Sequence, residues 1–154
     1  MIGFFGRLVP AAVFFLMLVH PASAETTADA VMQWGLIGLW SLDCALPPDH
    51  NKGTVLSYEI GDGDNVVHRR DFGDSHDESQ VLSATVSVDG ILNLRVYFPS
   101  VKQTREYGIV HLADGSMRVV YNRNDRNQYT IRDGKFTGNG KPTPAQHSCE
   151  RPPE

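Results

Sequence analysis

Short segments in which apolar and polar residues alternate fill residues 38–131 of this 154-residue chain, and turn-forming residues separate one segment from the next. A period of two residues is typical of a β-strand that buries one of its faces. No stretch between these turns combines the length and the helical period of a long helix. The sequence therefore predicts an all-β fold.

The alternation predicts eight strands that are joined mainly by hairpins. The clearest hairpin signal is Asp89-Gly90, because both positions tolerate the positive φ of a type I′ turn. Residues 73–78 are acidic and are expected to form a surface loop between the third and fourth strands. The eight predicted strands are residues 38–44, 54–60, 65–72, 80–88, 91–98, 104–112, 117–122 and 126–131.

Each strand is expected to turn one face to a shared interior, which in the fourth strand means Leu82, Ala84, Val86 and Val88. A meander of about eight strands loses both of its edges when it closes into a barrel, whose interior is packed or holds one small ligand. The prediction is an antiparallel eight-stranded meander closed into a barrel, preceded by a short helix at residues 26–34. An eight-stranded sandwich and an open, half-rolled sheet are the alternatives.

Residues 1–24 have the three parts of a secretory signal peptide. Arg7 supplies a positive start, residues 8–19 are apolar, and Ala22-Ser23-Ala24 is a small-residue cleavage site before Glu25. The apolar run is shorter than the roughly 20 residues that a membrane-spanning helix needs. We expect a periplasmic or secreted protein that is not inserted in a membrane after cleavage.

Cleavage leaves roughly 130 residues, the size of one domain. Residues 25–137 are predicted to form the β-barrel domain, and the proline-rich residues 138–154 are predicted to be a tail outside the sheet. Because the signal peptide carries one positive charge, the mature chain is one unit more negative than the −4 of the whole chain. This balance argues against nucleic acid as a partner, since nucleic acid needs a concentrated basic surface.

The chain has two cysteines, Cys44 and Cys149, and neither belongs to a Cys-x-x-Cys motif. Export places them in an oxidising compartment, where a disulfide is favoured over a metal site or a redox pair. We predict that they form a disulfide that ties the tail to the end of the first strand.

The short helix followed by Gly38-Leu39-Trp40 resembles the start of lipocalins and related calycin barrels. The resemblance implies a calycin-like barrel in which Trp40 fills the closed end. It also implies that a basic residue after the last strand, here Arg132, packs over the indole. A cation over an indole contributes about 0.5 to 2 kcal/mol.

Two further groups of residues lie near the ends of the mature chain. They are Gly38, Leu39, Trp40, Asp43, Cys44, Pro47 and Pro48 near its start, and residues 133–144 (DGKFTGNGKPTP) with Cys149 near its end. This pattern is similar to a family of small uncharacterised exported proteins of Gram-negative bacteria. The resemblance implies the fold and the compartment and names no activity.

The sequence contains no Gly-x-Ser-x-Gly, no His-Glu-x-x-His and no glycine-rich phosphate loop. We therefore predict that the protein is not an enzyme and has no cofactor. The side chains of Asp74, His76, Asp77 and Glu78 could ligate a divalent metal, but acidic loops are more often only solvated. No metal site is predicted.

Several aromatic and histidine side chains fall on the predicted inner faces of the strands. A phenol has an apolar ring and a polar tip, which suits either a packed core or a cavity that orients a ligand. The same two interpretations hold for the histidines. The predicted ligand-binding residues are Tyr58, His68, Tyr107, His111 and Tyr121.

Two functions are consistent with these patterns, since one scaffold serves many activities. The first is the binding of a small apolar or aromatic ligand inside a periplasmic barrel. The alternative is a barrel that binds another envelope protein through its loops, such as an inhibitor of an envelope hydrolase or protease. A hollow interior favours the first function and a packed interior favours the second.

Overall fold

The computed structural model describes residues 25–149, and the predicted signal peptide lies outside the described residues. The chain is mainly β, as predicted. Its elements are α1 (Thr27–Trp34), β1 (Gly38–Ser41), β2 (Val55–Ile60), β3 (Val66–Asp71), β4 (His76–Val86), β5 (Leu92–Phe98), β6 (Gln103–His111), β7 (Met117–Asn124), β8 (Tyr129–Arg132), β9 (Lys135–Phe136) and β10 (His147–Cys149), with a 3-10 turn at Asp62–Asp64.

The strands form one antiparallel sheet in the order β10-β1-β2-β3-β4-β5-β6-β7-β8-β9. The expected meander is confirmed, but the sheet has ten strands instead of the expected eight. It is also not closed into the predicted barrel, because within residues 25–149 no ladder joins β9 to β10.

The tail supplies the unexpected strand β10, which pairs with β1 so that Leu39 lies opposite Cys149. Its prolines at positions 142 and 144 come before β10, so all three residues of this strand keep their N–H groups. Gln146 also forms two backbone hydrogen bonds of 2.8 Å with Met117 of β7. The expectation that the whole tail stays outside the sheet is therefore wrong.

The predicted disulfide is confirmed. Cys44 and Cys149 are bonded, with their Cα atoms 5.5 Å apart and a sequence separation of 105. Closing a loop of this length stabilises a fold by about 4 to 5 kcal/mol in the chain-entropy account. The bond thus connects β10 covalently to the loop that follows β1.

Helix α1 is confirmed and has a capping box at its start. The Thr26 hydroxyl accepts a hydrogen bond from the Asp29 N–H at 3.0 Å, and the Asp29 carboxylate accepts one from the Thr26 N–H at 3.2 Å. Gly35 ends the helix with φ of 84°, a conformation that glycine adopts without strain. This helix lacks the length that crossing a bilayer requires, and it is the only α-helix of residues 25–149.

Because consecutive strands are antiparallel, their connections alternate between two ends of the sheet. The Trp34 indole N–H donates to the Gly90 carbonyl at 3.0 Å, which places α1 at the end that holds the turn between β4 and β5. We call this the helix end, and it includes the turns at 61–65, 87–91 and 112–116. The loop end has the connections at 42–54, 72–75, 99–102 and 125–128.

One hydrophobic core extends from β1 to β7, which requires the sheet to curl around it. Its members nearest the helix end are almost completely buried and apolar. The largest core side chains that are at most 1% exposed are Val31, Leu36, Val66, Leu92, Val96, Ile109 and Met117.

Strand β4 differs from its prediction in two ways. It begins at His76, so half of the expected acidic loop is strand. A bulge between Val81 and Ser83 then shifts the inward positions, and Val81 and Ala84 are buried on either side of it. The expected burial is therefore wrong for Leu82, Val86 and Val88, which are all exposed.

Candidate functional site

A row of aromatic rings crosses the interior from β2 to β6. Tyr58 and His68 are opposite each other on β2 and β3, and their rings stack with centroids 4.5 Å apart. The edge of His68 meets Phe98 at 6.3 Å, and Phe98 meets Tyr107 at 6.2 Å. These contacts are typical geometries for aromatic pairs, and they hold the four rings in fixed positions.

His68 is a neutral side chain in this row. Burial, and secondly the positive charge of Arg70, lower the pKa of His68 to about 4. Its Nδ1 atom has no hydrogen-bond partner among the described residues, and neither has the hydroxyl of Ser79, the residue opposite it on β4. Burial likewise raises the pKa of Tyr58. The deep part of the row therefore carries no charge at neutral pH.

A pocket of about 360 Å³ adjoins this row at the loop end of the sheet. Its volume is within the range of small-ligand sites, roughly 300 to 1,000 Å³. Phe98 and Tyr107 join the pocket to the aromatic row. The lining residues are Arg70, Phe98, Ser100, Val101, Gln103, Arg105, Tyr107, Asn122 and Thr130.

Arg70, one of two arginines in this pocket, is held by a carboxylate. It makes two parallel hydrogen bonds with Asp77, of which the Nε to Oδ1 distance is 2.8 Å. Its guanidinium also lies 4.9 Å from the centre of the Phe98 ring and 5.5 Å from that of Phe72. Arg70 is thus neutralised and packed between aromatic rings.

Arg105, the second arginine, is held only by neutral side chains in the part of the chain that the structure describes. Its Nε donates to Asn122 Oδ1 at 2.6 Å and its Nη1 to Gln103 Oε1 at 2.8 Å. Its Nη2 donates to the hydroxyl of Thr130 at 3.0 Å, and that hydroxyl donates to Asn122 Oδ1 at 2.9 Å. These bonds fix the orientation of the guanidinium and leave its charge uncompensated.

Tyr107 is the phenol next to both arginines. Burial raises the pKa of Tyr107, and three smaller effects oppose the rise: a hydrogen bond with Asn122 and the positive charges of Arg70 and Arg105. The phenol is protonated at neutral pH. It can therefore both donate and accept a hydrogen bond in the pocket.

The structure brings together three of the five predicted ligand-binding residues, Tyr58, His68 and Tyr107. Tyr121 lies on the opposite face of the sheet, where its hydroxyl donates to Asn93 Oδ1 at 2.7 Å. Its ring covers Gly108, at which a Cβ atom would overlap with the ring.

The reason for the displaced Tyr121 is a bulge in β7. Val119 pairs with Ile109 and Tyr121 pairs with Gly108, so two steps on β7 correspond to one step on β6. The alternation of β7 then changes face, and Asn122 takes the inward position opposite Tyr107.

His111 lies at the helix end and takes no part in the pocket. Its ring stacks on Trp34 with centroids 3.8 Å apart, and its Nε2 lies 2.9 Å from the Trp34 carbonyl oxygen. This histidine packs on α1.

Trp40 and Arg132, which were expected to form a plug, have different partners. Trp40 is 3% exposed, and its indole N–H donates to the Leu36 carbonyl at 2.7 Å. The Arg132 guanidinium lies over the Tyr129 ring, 5.2 Å from its centre. Trp40 thus belongs to the core beside the helix, whereas Arg132 is on the outside.

Of the nine residues that line the pocket, the sequence prediction named only Tyr107, and the eight that it missed include Arg70, Phe98, Arg105 and Asn122. The two-residue period contains a signal for the arginines, because Arg70 follows His68 by two positions and Arg105 precedes Tyr107 by two. Asn122 could not be found from the two-residue period, because the bulge in β7 changes which residues of that strand point inward.

A second groove of about 580 Å³ lies on the outer face of β6 to β8. Its two arginines have partners already, since Arg123 Nε donates to Glu106 Oε2 at 2.6 Å and the Arg132 guanidinium lies over the Tyr129 ring. Its lining residues are Ile91, Val110, Val120, Tyr121, Arg123, Tyr129, Arg132 and Asp133.

The acidic residues around positions 74–78 are paired with basic groups. Asp77 and Glu78 bind Arg70 and Arg69 across the strands, and Asp74 Oδ1 lies 2.9 Å from His50 Nε2. Residues 25–149 contain no cluster of three or more histidine, cysteine or acidic side chains arranged to hold a metal ion.

The fold and the pocket define a small disulfide-linked β-sheet protein with a concave candidate site at its loop end. No protein-family model matches the chain, and comparisons with curated proteins and with solved structures gave no significant match.

Proposed function

We propose that this protein is exported to the periplasm and binds a small ligand with an apolar or aromatic group in the loop-end pocket. The observation that supports this function best is the pocket beside Phe98 and Tyr107, whose volume of about 360 Å³ suits a small molecule. The signal-like residues 1–24 and the disulfide support export, since disulfides persist in oxidising compartments.

The pocket is pre-organised by the strands that carry it. Phe98, Arg105, Tyr107 and Asn122 lie on β5, β6 and β7, and Asn122 is only 4% exposed. Side chains that are already held by hydrogen bonds and ring contacts lose little conformational entropy when a ligand binds.

The experiment is a fluorescence titration with N-phenyl-1-naphthylamine, a neutral dye that becomes bright in apolar sites. We expect saturable binding to the parent protein and weaker binding to Tyr107→Ala. The matched control is Tyr129→Ala, which removes a ring from the outer groove. No saturable signal, or an equal loss in both variants, would contradict the proposed site.

A second candidate function is the binding of an envelope protein, such as a hydrolase or protease that the chain would inhibit. The loop at 42–54 favours it, because the loop is exposed and locally ordered: Asp49 and Gly53 exchange two backbone hydrogen bonds of 2.9 Å. His50 stacks on Phe72 at 4.8 Å. Inhibition of purified periplasmic proteases and cell-wall hydrolases tests this function, and an inhibitory effect lost in His50→Ala would support it.

A further inference from the structure

We infer that the ligand of the loop-end pocket is an anion, an aromatic or aliphatic carboxylate, and that Arg105 binds its carboxylate. This inference rests on the proposed function and names the chemical class of the ligand. It starts from the charges of the pocket: two arginines line it, and no acidic residue is among its described lining residues. The chain as a whole has a net charge of −4, so the pocket is a local exception.

The two arginines differ in what neutralises them. Asp77 forms an ion pair with Arg70, whereas within residues 25–149 no carboxylate forms an ion pair with Arg105. The three hydrogen bonds of Arg105 go to the neutral oxygens of Gln103, Asn122 and Thr130. A partly buried cation without a counter-ion gains more from an incoming carboxylate than one that is already paired.

The geometry of Arg105 suits a carboxylate. A guanidinium has five N–H donors in a planar fork that matches the two oxygens of a carboxylate, and the neutral partners occupy one donor on each of its three nitrogens. They hold the fork in place without cancelling its charge. The phenol of Tyr107 and the hydroxyl of Ser100 add hydrogen-bonding groups to the same pocket.

The rest of the pocket suits the apolar part of such a ligand. Phe98 forms its inner wall, and Val101 at its rim is 65% exposed. An exposed valine beside an aromatic wall provides apolar surface that a bound ring or alkyl chain would cover. The apolar wall of the pocket and the cation of Arg105 together favour a carboxylate that also carries an apolar group.

The test is a competition in which two near-isosteric probes displace N-phenyl-1-naphthylamine from the protein. The probes are 2-naphthoate, which is an anion, and 2-naphthamide, which is neutral. We expect 2-naphthoate to compete at about tenfold lower concentration, the difference that one charge-assisted interaction provides. Raising the ionic strength to about 1 M, where the screening length is about 3 Å, should narrow this preference.

Variants of Arg105 test whether this residue causes the preference for 2-naphthoate over 2-naphthamide. Arg105→Gln should abolish it, so that 2-naphthoate and 2-naphthamide displace the dye at similar concentrations, and Arg105→Lys should retain part of it. The matched control is Arg95→Gln on the outer face, whose guanidinium lies 3.5 Å from Asp125 and which should leave both probes unchanged.

The outcomes separate the two proposals. Dye binding with equal competition by both probes, or a preference that persists in Arg105→Gln, would overturn the carboxylate site and leave the pocket as a site for neutral ligands. A protein that is folded by circular dichroism and does not bind the dye at all would overturn the proposed function and this inference with it.

Discussion

The helix end and the loop end of this sheet have interiors of opposite character. At the helix end Leu36, Leu92, Ile109 and Met117 are at most 1% exposed. At the loop end the same strands carry arginines, a tyrosine and an asparagine around an open pocket. Apolar burial stabilises the fold, whereas a polar concave surface can recognise a ligand. One end of the sheet thus supplies stability and the other is available for function.

The polar end has its own cost. Partly burying a guanidinium removes water from a charge, and the protein must replace that water with hydrogen bonds. Asp77 does so for Arg70, and neutral side chains do so for Arg105. The comparison implies that substitutions at the two ends change different properties.

The largest expected effect is loss of the covalent link between β10 and the loop after β1. Cys44→Ser with Cys149→Ser should lower the free energy of unfolding by about 4 to 5 kcal/mol, because the unfolded chain regains the freedom of a long loop. Urea denaturation measures the change. Thiol titration of the unreduced parent should find no free thiol, and two free thiols would refute the disulfide.

The second largest effect on stability is expected for truncation of Trp40, which lies in the core beside the helix. Trp40→Ala should cost about 3 to 5 kcal/mol, since it leaves a cavity in the core and removes the hydrogen bond to Leu36. Thermal and urea unfolding measure it, with Val88→Ala as the control at a fully exposed position. Equal stability of Trp40→Ala and the parent would show that the helix end does not carry the core.

Low pH should lower the free energy of unfolding, because His68 is buried in its neutral form. The pKa of His68 is lowered to about 4 in the folded protein, so between its ordinary value of 6.5 and about 4 only the unfolded chain binds the proton. The free energy of unfolding therefore falls as pH falls through this window, by about 3 kcal/mol at its lower end. His68→Gln should show a shallower fall, measured by urea denaturation at each pH. The same slope in both proteins would contradict a neutral buried His68.

The smallest expected effect on stability is that of Arg105→Gln, about 1 kcal/mol or less, because the acceptors of Arg105 are neutral and Asn122 keeps its hydrogen bond from Thr130. Urea denaturation measures the change. A loss as large as that of Trp40→Ala would show that the loop end is also part of the stabilising core, and the division between the two ends would fail.

Much of this fold follows from local sequence signals. The alternating segments of residues 38–131 coincide broadly with strands in the structure, and the capping residue Thr26 and the terminating Gly35 bound the helix. The site was less predictable. The two-residue period correctly predicts that His68 and Tyr107 point inward. It assigns Tyr121 to the wrong face, because one extra residue in β7 reverses the alternation after Val119.

The sequence by itself determined the strand-forming segments, the turns between them and the one possible cysteine pair, since these depend on neighbouring residues and on a count of two cysteines. Only the tertiary structure decided the positions of the bulges, the pairing of β10 with β1 and which of the two pocket arginines has a counter-ion. These features depend on contacts between residues far apart in the chain. They are stabilised by the packing of the whole sheet around one core, and this packing cannot be read from the residues of any one short segment.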